Sequence, residues 1–309
     1  MYPHELGGQL TQSLERQGAL IRGSLVLNPV ENFPFSKDLQ PASGPIHGLY
    51  NTDKCRTDEQ KLQTNHQFAG RGRLAYDSRR IYTAWAHALG AEDVTMRLLS
   101  GLHAHIVIFM GITRPGDRVL LLPVQAGGHM STKSILERLG IDVIEMAVDT
   151  KERTINIDKT LSLLQGCPPN FVFVDRSEGL IYEDFSELVA ACKAPAIFDA
   201  SQYLSNIVAG DYVNPFDMGF DYIISTVHKN FPGPQKAFVA TRRSDETWKK
   251  MLSGISTFVS NMHSFSTYAA GLTLARSDWI TEYSSRMIAN TIQLDDALRE
   301  RGLPTVPRL

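Results

Sequence analysis

Residues 221–242 read DYIISTVHKNFPGPQKAFVATR, and this stretch decides the fold. Asp221 to Lys229 is an apolar, β-branched run that predicts a buried strand. Pro232-Gly233-Pro234 is a turn, and Ala237 to Arg242 a second strand. Upstream, similar runs predict strands at 118–123, 142–148, 170–175 and 196–201. Helical patterns fill the gaps, from Ser100-Gly101 to Ile112 and at 131–140, 158–165 and 185–193. An amphipathic helix over 78–90, ended by Gly90, precedes them, and one long helix over 279–302 follows. Residues 5–22 read as a helical arm, and 28–52, rich in Pro, Gly and Asn, as loop. Strand alternating with helix implies an α/β fold, a mainly parallel sheet with helices on both faces. A ligand is expected beyond the carboxyl ends of the strands. Asp175, Asp199 and Lys229 all fall there.

Composition narrows the function classes. Of 309 residues, 43% are hydrophobic and 21% charged, with a formal net charge of −2. That suits a packed globular chain and argues against a nucleic-acid surface or a basic membrane patch. Cys55, Cys167 and Cys192 are widely spaced with no CxxC, which disfavours a disulfide framework or a zinc site. His103 and His105 sit two apart on a predicted helix and point to different faces, so no metal is expected. The N-terminus is polar and carries acids, unlike a signal or transit peptide. No apolar stretch approaches the roughly 20 residues that span a bilayer. The expected home is a reducing cytoplasm.

Four features carry chemistry when read together. Lys229, at a strand end beside a Gly/Pro turn, can be held partly desolvated, which frees its amine for a Schiff base. A surface lysine beside a turn would read the same way. Asp199 ends AIFDAS, where a carboxylate can pair with the ring nitrogen of pyridoxal phosphate (PLP); a helix N-cap is the alternative. Ser100-Gly101-Leu102 opens a helix whose N-terminus can bind phosphate, or is simply capped. Gly127-Gly128-His129 follows a strand, so an imidazole there can lie on a cofactor ring or be an ordinary loop histidine.

In this order the four features resemble fold-type I PLP-dependent transferases, and more narrowly the serine hydroxymethyltransferase family, including its threonine transaldolase-like members. That family carries THK…GP, an SG phosphate turn, an AHGGH-like histidine, a strand-end Asp and an ASENF-like segment. Pro29-Val30-Glu31-Asn32-Phe33 stands in the last place here. The resemblance implies a large domain built on a seven-stranded sheet. It implies that Lys229 holds PLP, Asp199 pairs with the pyridine nitrogen and His129 stacks on the ring. Ser100, Gly101 and Leu102 would hold the phosphate, helped by Thr226 and His228, with Gln202 at the phenolic oxygen and Ser177 at the polar edge. Ser260-Asn261-Met262-His263 would reach the partner's phosphate in a homodimer with shared sites. Glu31, His47 and Tyr50 stand where substrate groups are expected. The implied chemistry is cleavage and formation of the Cα–Cβ bond of small amino acids through a glycine quinonoid. Its substrates are an amino acid and an aldehyde acceptor.

The sequence also departs from that pattern. Val30 replaces a serine and cannot hydrogen-bond a carboxylate. GPIHGLYNTDKC (44–55) replaces a tyrosine-rich stretch, and Gln235 replaces an arginine. These changes speak against tetrahydrofolate. The run Pro232-Gly233-Pro234-Gln235-Lys236 is similar to that of transaldolase-like members. The organisation expected is an arm over 1–27, a PLP-binding domain over 28–280, and over 281–309 a long helix that starts a truncated small domain. Two other readings stay open. One is a class V-type aminotransferase, which keto-acid formation would reveal; a desulfurase is disfavoured because no cysteine follows Cys192. The other is a non-catalytic or partner-dependent PLP-binding subunit, with a separate chain supplying the small domain.

Overall fold

The computed structural model describes residues 3–25, 27–28, 30–34, 36–42, 44–52, 72–152, 154–178 and 182–305. Cys55 and Pro29 lie outside the described residues. In chain order the elements are α1 (Pro3–Arg22), α2 (Ser36–Ala42), α3 (Arg73–Leu89), β1 (Asp93–Thr95), α4 (Gly101–Ile112), β2 (Arg118–Leu121), α5 (Thr132–Arg138), β3 (Asp142–Glu145), β4 (Val148–Asp149), β5 (Thr154–Ile155), α6 (Ile157–Leu163), β6 (Phe171–Val174), α7 (Ser186–Cys192), β7 (Ala196–Asp199), α8 (Leu204–Ala209), β8 (Tyr222–Thr226), β9 (Ala237–Thr241), α9 (Glu246–Phe258), α10 (Ser264–Leu274) and α11 (Ser277–Glu300).

Seven strands form one sheet in the order β1-β9-β8-β7-β6-β2-β3. From β8 to β3 every pairing is parallel. At the other edge β9 runs antiparallel to both β8 and β1. The sheet is therefore mainly parallel and seven-stranded, as expected. β6 to β9 are buried along their whole length, as a sheet covered on both faces requires.

Alternate residues feed two cores, because successive strand side chains point to opposite faces. Val172, Phe198, Ile223 and Phe238 pack on one side with Trp85 of α3. Phe173, Ile197, Ile224 and Val239 pack on the other with α4 and α9. α4 and α9 cross at glycines. A Cβ at Gly254 would lie 2.8 Å from the Gly111 Cα, so the two backbones touch there.

Several expectations needed revision. The strand expected over 142–148 stops at Glu145; Met146 N still donates to Leu121 O at 3.0 Å. Val148–Asp149 then pairs with Thr154–Ile155 in a separate hairpin. The strand expected to reach Lys229 stops at Thr226, and the lysine sits in the turn beyond it. Residues 28–52 are not all loop. α2 forms there, its buried Asp38 accepting from Arg276 Nη2 at 2.7 Å. That helix is held by an ion pair to a residue 238 positions away, which no local pattern reveals. β1, α8, α9 and α10 were not foreseen either. Asp245, whose side chain accepts from Trp248 N at 2.8 Å, is the N-cap signal that would have found α9.

The glycine crossing generates a prediction. Gly254→Val forces α4 and α9 apart and lowers stability by ~1–3 kcal/mol, read as a lower urea midpoint with unchanged helix content.

Candidate active site

The sheet has one switch point. After β2 the chain moves outward to β3, while β6 returns on the opposite side of β2. The site expected beyond the carboxyl ends is bordered there by the segments leaving β2 and β6, which are bonded to each other. Gly127 and Gly128 shape its wall. Gly127 has φ +86, and a Cβ there would meet Glu178 O at 2.4 Å; at Gly128 it would meet Leu122 O at 2.2 Å. The paired glycines thus serve close approach between neighbouring backbones. Gly127 O accepts from Ser177 N at 2.8 Å, and His129 N donates to Asp175 O at 3.2 Å. The half-buried Ser177 and His129 are fixed by this zipper.

Asp199, at the end of β7, is buried. Its Oδ1 accepts from Ser201 N at 2.9 Å and from Ser201 Oγ at 2.5 Å. Its Oδ2 lies 2.7 Å from His105 Nε2. Burial by itself pushes this carboxyl up, but the hydrogen bond and charge of His105 and the two bonds from Ser201 outweigh it. Asp199 is held below the usual carboxylate range. Behind His105, Thr132 Oγ1 lies 3.2 Å from His105 Nδ1 and donates to Asp175 Oδ2. Burial pushes Asp175 up to about 7, against the opposing pull of His105 and Thr132. His129 meets His105 edge-on with ring centroids 6.0 Å apart. Burial, then the nearby His105 and Lys229, push its imidazole down, so it is neutral near pH 7.

The third wall is the N-terminus of α4. Ser100 caps it, accepting from His103 N at 3.3 Å. A Cβ at Gly101 would lie 2.9 Å from Thr226 Cγ2, so the helix start packs on the end of β8. The Leu102 side chain is exposed. Ser201 Oγ accepts from Thr226 N at 2.9 Å and ties β7 to β8. Two buried polar atoms, Thr226 Oγ1 and Gln202 Nε2, have no hydrogen-bond partner among the described residues.

The turn after β8 carries the half-buried Lys229. Asn32 Nδ2 donates to Lys229 O at 3.0 Å and to Phe231 O at 2.6 Å. Ser205 Oγ donates to Asn230 O at 2.9 Å, and Asn230 Nδ2 to Asn206 Oδ1 at 3.0 Å. Phe231 packs on Trp85, ring centroids 5.0 Å apart. His228 Nδ1 faces Lys236 N at 3.4 Å, and burial lowers its pKa. Beside this turn a cleft of about 440 Å³ is lined by Val30, Glu31, Asn32, His228 and Gln235 among others.

The structure therefore brings together Lys229, Asp199, His129, Ser100, Gly101, Thr226, His228 and Gln202 around the strand ends, with Glu31 in the adjoining cleft. Other expected residues stand apart from that cleft. His47 stacks on Phe265 at 4.0 Å, and Tyr50 is exposed. Ser260 is exposed, while Asn261 Oδ1 accepts from Asn51 N at 3.3 Å and His263 N at 3.2 Å within the same chain. The sequence reading missed His105 and Thr132. A signal for His105 existed. It lies four residues after Gly101, on the helix face that carries the phosphate turn.

The serine hydroxymethyltransferase family model matches residues 77–308. A serine hydroxymethyltransferase of Pyrobaculum calidifontis is 32% identical over 233 residues, covering 73% of this chain and 54% of the relative. A fluorothreonine transaldolase of Streptantibioticus cattleyicolor is 34% identical over 223 residues, covering 70% of this chain and 34% of the relative. The chain thus spans about half the length of the hydroxymethyltransferase it matches. Among solved structures, L-threonine transaldolase from Pseudomonas fluorescens, in its internal aldimine state, superposes with a TM-score of 0.87 at 18% identity, covering 96% of this chain and 68% of that one. Strand order and the family match converge, and the chain belongs to the serine hydroxymethyltransferase family of fold-type I PLP-dependent transferases.

Proposed function

We propose that the protein breaks and re-forms the Cα–Cβ bond of small β-hydroxy amino acids with PLP, by transaldol-type transfer to an aldehyde acceptor and without folate. The observation that carries this reading is the buried Asp199 carboxylate, held ionised at the strand ends where Lys229 emerges. The residues present fit the cofactor. Gln202 Nε2 and Thr226 Oγ1 are buried polar atoms lacking a partner among the described residues, and Gly101 leaves room for only a hydrogen against Thr226. A polar ligand at the strand ends would satisfy both.

When bound, PLP supplies an electrophilic carbonyl and a cationic ring that accepts the electron pair of a broken Cα bond. Lys229 would anchor it through its amine, on a backbone that Asn32 and Ser205 keep from swinging. Asp199 would hold the ring-nitrogen proton. His129, neutral, would face the ring without adding charge. Ser100, the backbone N–H groups at Gly101 and Leu102, Thr226 and His228 would hold the phosphate at the positive end of α4. Gln202 would donate to the phenolic oxygen and Ser177 border its polar edge.

The acceptor side argues for transaldol chemistry. Val30 lines the cleft without hydrogen-bonding capacity, and Gln235 carries no charge. The similarity to a fluorothreonine transaldolase supports the same choice. Glu31 is the carboxylate placed to meet a substrate there; His47 and Tyr50 would need movement to take part. In the organisation proposed, 28–280 is the cofactor domain, 1–27 an arm, and α11 leads away from it. Leu10, Leu14 and Leu20 on α1 are 53, 73 and 63% exposed, which supports an arm that covers a second copy in a homodimer. In that dimer Ser260 and Asn261 would approach the partner's phosphate. Among the described residues no helix is long and apolar enough to cross a membrane; a cytoplasmic enzyme is proposed.

Two outcomes are expected. Wild type takes up PLP with a visible absorbance band, and Lys229→Ala loses that band while keeping its circular dichroism. With threonine and an aromatic aldehyde, wild type releases acetaldehyde in the absence of tetrahydrofolate. Serine cleavage that demands tetrahydrofolate, with no reaction of threonine, would overturn the transaldol reading.

A further inference from the structure

We propose that Asp175, Thr132 and His105 form a buried proton relay that keeps Asp199 a carboxylate facing the cofactor ring, with His105 as its positioning residue. The proposal rests on the PLP reading above and concerns how that site is controlled.

Thr132 has one hydroxyl proton. Its Oγ1 contacts both Asp175 Oδ2 and His105 Nδ1. If Asp175 is ionised, the hydroxyl proton points to it, and His105 Nδ1 must carry its own proton toward the Thr132 oxygen. If Asp175 is protonated, its proton points to Thr132, and the Thr132 proton points to His105 Nδ1. Asp199 Oδ1 is occupied by two donors from Ser201, which leaves Oδ2 for His105 Nε2 at 2.7 Å. With Asp199 held below the usual carboxylate range, Nε2–H is the donor in both arrangements.

The arrangements differ only in which end of the relay holds one proton. In the first, His105 is an imidazolium and Asp175 a carboxylate. In the second, His105 is neutral and Asp175 a carboxylic acid. Moving between them takes the Nδ1 proton to the Thr132 oxygen and the Thr132 proton to Asp175 Oδ2. The net charge of the chain is unchanged and no heavy atom moves. Burial raises Asp175 and so favours its protonated form, the one the second arrangement uses.

The surroundings favour such a device. Phe173 seals one side of His105, edge-on at 5.0 Å. Thr132 and His105 are buried, and Asp175 is 2% exposed. The other titratable group meeting the relay is His129, from the loop after β2, whose backbone N–H bonds Asp175 and whose ring is itself held neutral by burial, His105 and Lys229. It cannot replace the His105 donor to Asp199. Nothing in the transaldol reaction itself calls for Thr132 or Asp175, so their burial in a polar chain needs its own account.

Three measurements test this. In unloaded wild type, ¹⁵N-histidine NMR should show His105 Nε2 protonated at neutral pH. Titrating unloaded protein with PLP, His105→Leu should bind at least ~10-fold more weakly, the loss of a charge-assisted bond, and its visible band should titrate at a different pH from wild type. His105→Gln, which keeps one donor toward Asp199, should recover most of the affinity but not the wild-type pH profile. Asp175 adds a stability test. Its folded pKa of about 7 lies above the ordinary 3.8. The stability it contributes is therefore present at low pH and falls as pH rises through that window. Asp175→Asn should flatten that fall. An unprotonated Nε2, unchanged PLP affinity and band in His105→Leu, or an unaltered pH–stability curve in Asp175→Asn overturns the relay. Absence of a Lys229-dependent band in wild type would instead overturn the cofactor reading, and leave the NMR and stability tests of the relay standing.

Discussion

Asp199 has to carry a full charge where water barely reaches, and much of this architecture can be traced to that requirement. An isolated carboxylate in such a place would take up a proton. Here two donors from Ser201 and one from His105 surround it. His105 is available only because α4 starts at Gly101, packed on the end of β8, so that its first full turn faces the end of β7. Removing His105 would leave a buried carboxylate short of a donor, so the site and the stability of the strand ends depend on the same contact.

The lysine turn answers a different constraint. Its amine has to be presented from a backbone that does not drift. Three segments remote in sequence share that task. Asn32 bonds the carbonyls of Lys229 and Phe231, Ser205 bonds that of Asn230, and Trp85 packs on Phe231. The network continues outward, since Asn206 Nδ2 donates to Ser284 Oγ of α11, which donates to Asp211 Oδ2 at 2.6 Å. The turn is thereby joined to α11.

The family match and the departures from its pattern bear on different parts of the molecule. The strand ends keep the lysine, the aspartate and the phosphate turn. The cleft beside them is lined by Val30 and Gln235, which depart from the pattern. On the function proposed, cofactor chemistry and acceptor choice would be carried by separate surfaces, as expected when one electron sink serves several reactions.

Residue pattern alone made legible the alternation of strand and helix, the burial of the central strands, and the placing of Asp199 and Ser100-Gly101 at element ends, with Lys229 and Gly128-His129 close beyond theirs. Those properties follow from residue period and turn chemistry, which act over a few neighbours. Only the tertiary structure decided that His105 meets Asp199 and that Asn32 clamps Lys229. These contacts join residues 94 and 197 positions apart. They depend on strand order and on the rotation of α4 against the sheet, which no local pattern encodes. The paired glycines show the division at one place. As glycines after a strand they were legible, but what they approach is the backbone at Leu122 and Glu178, because the loops after β2 and β6 zip together there.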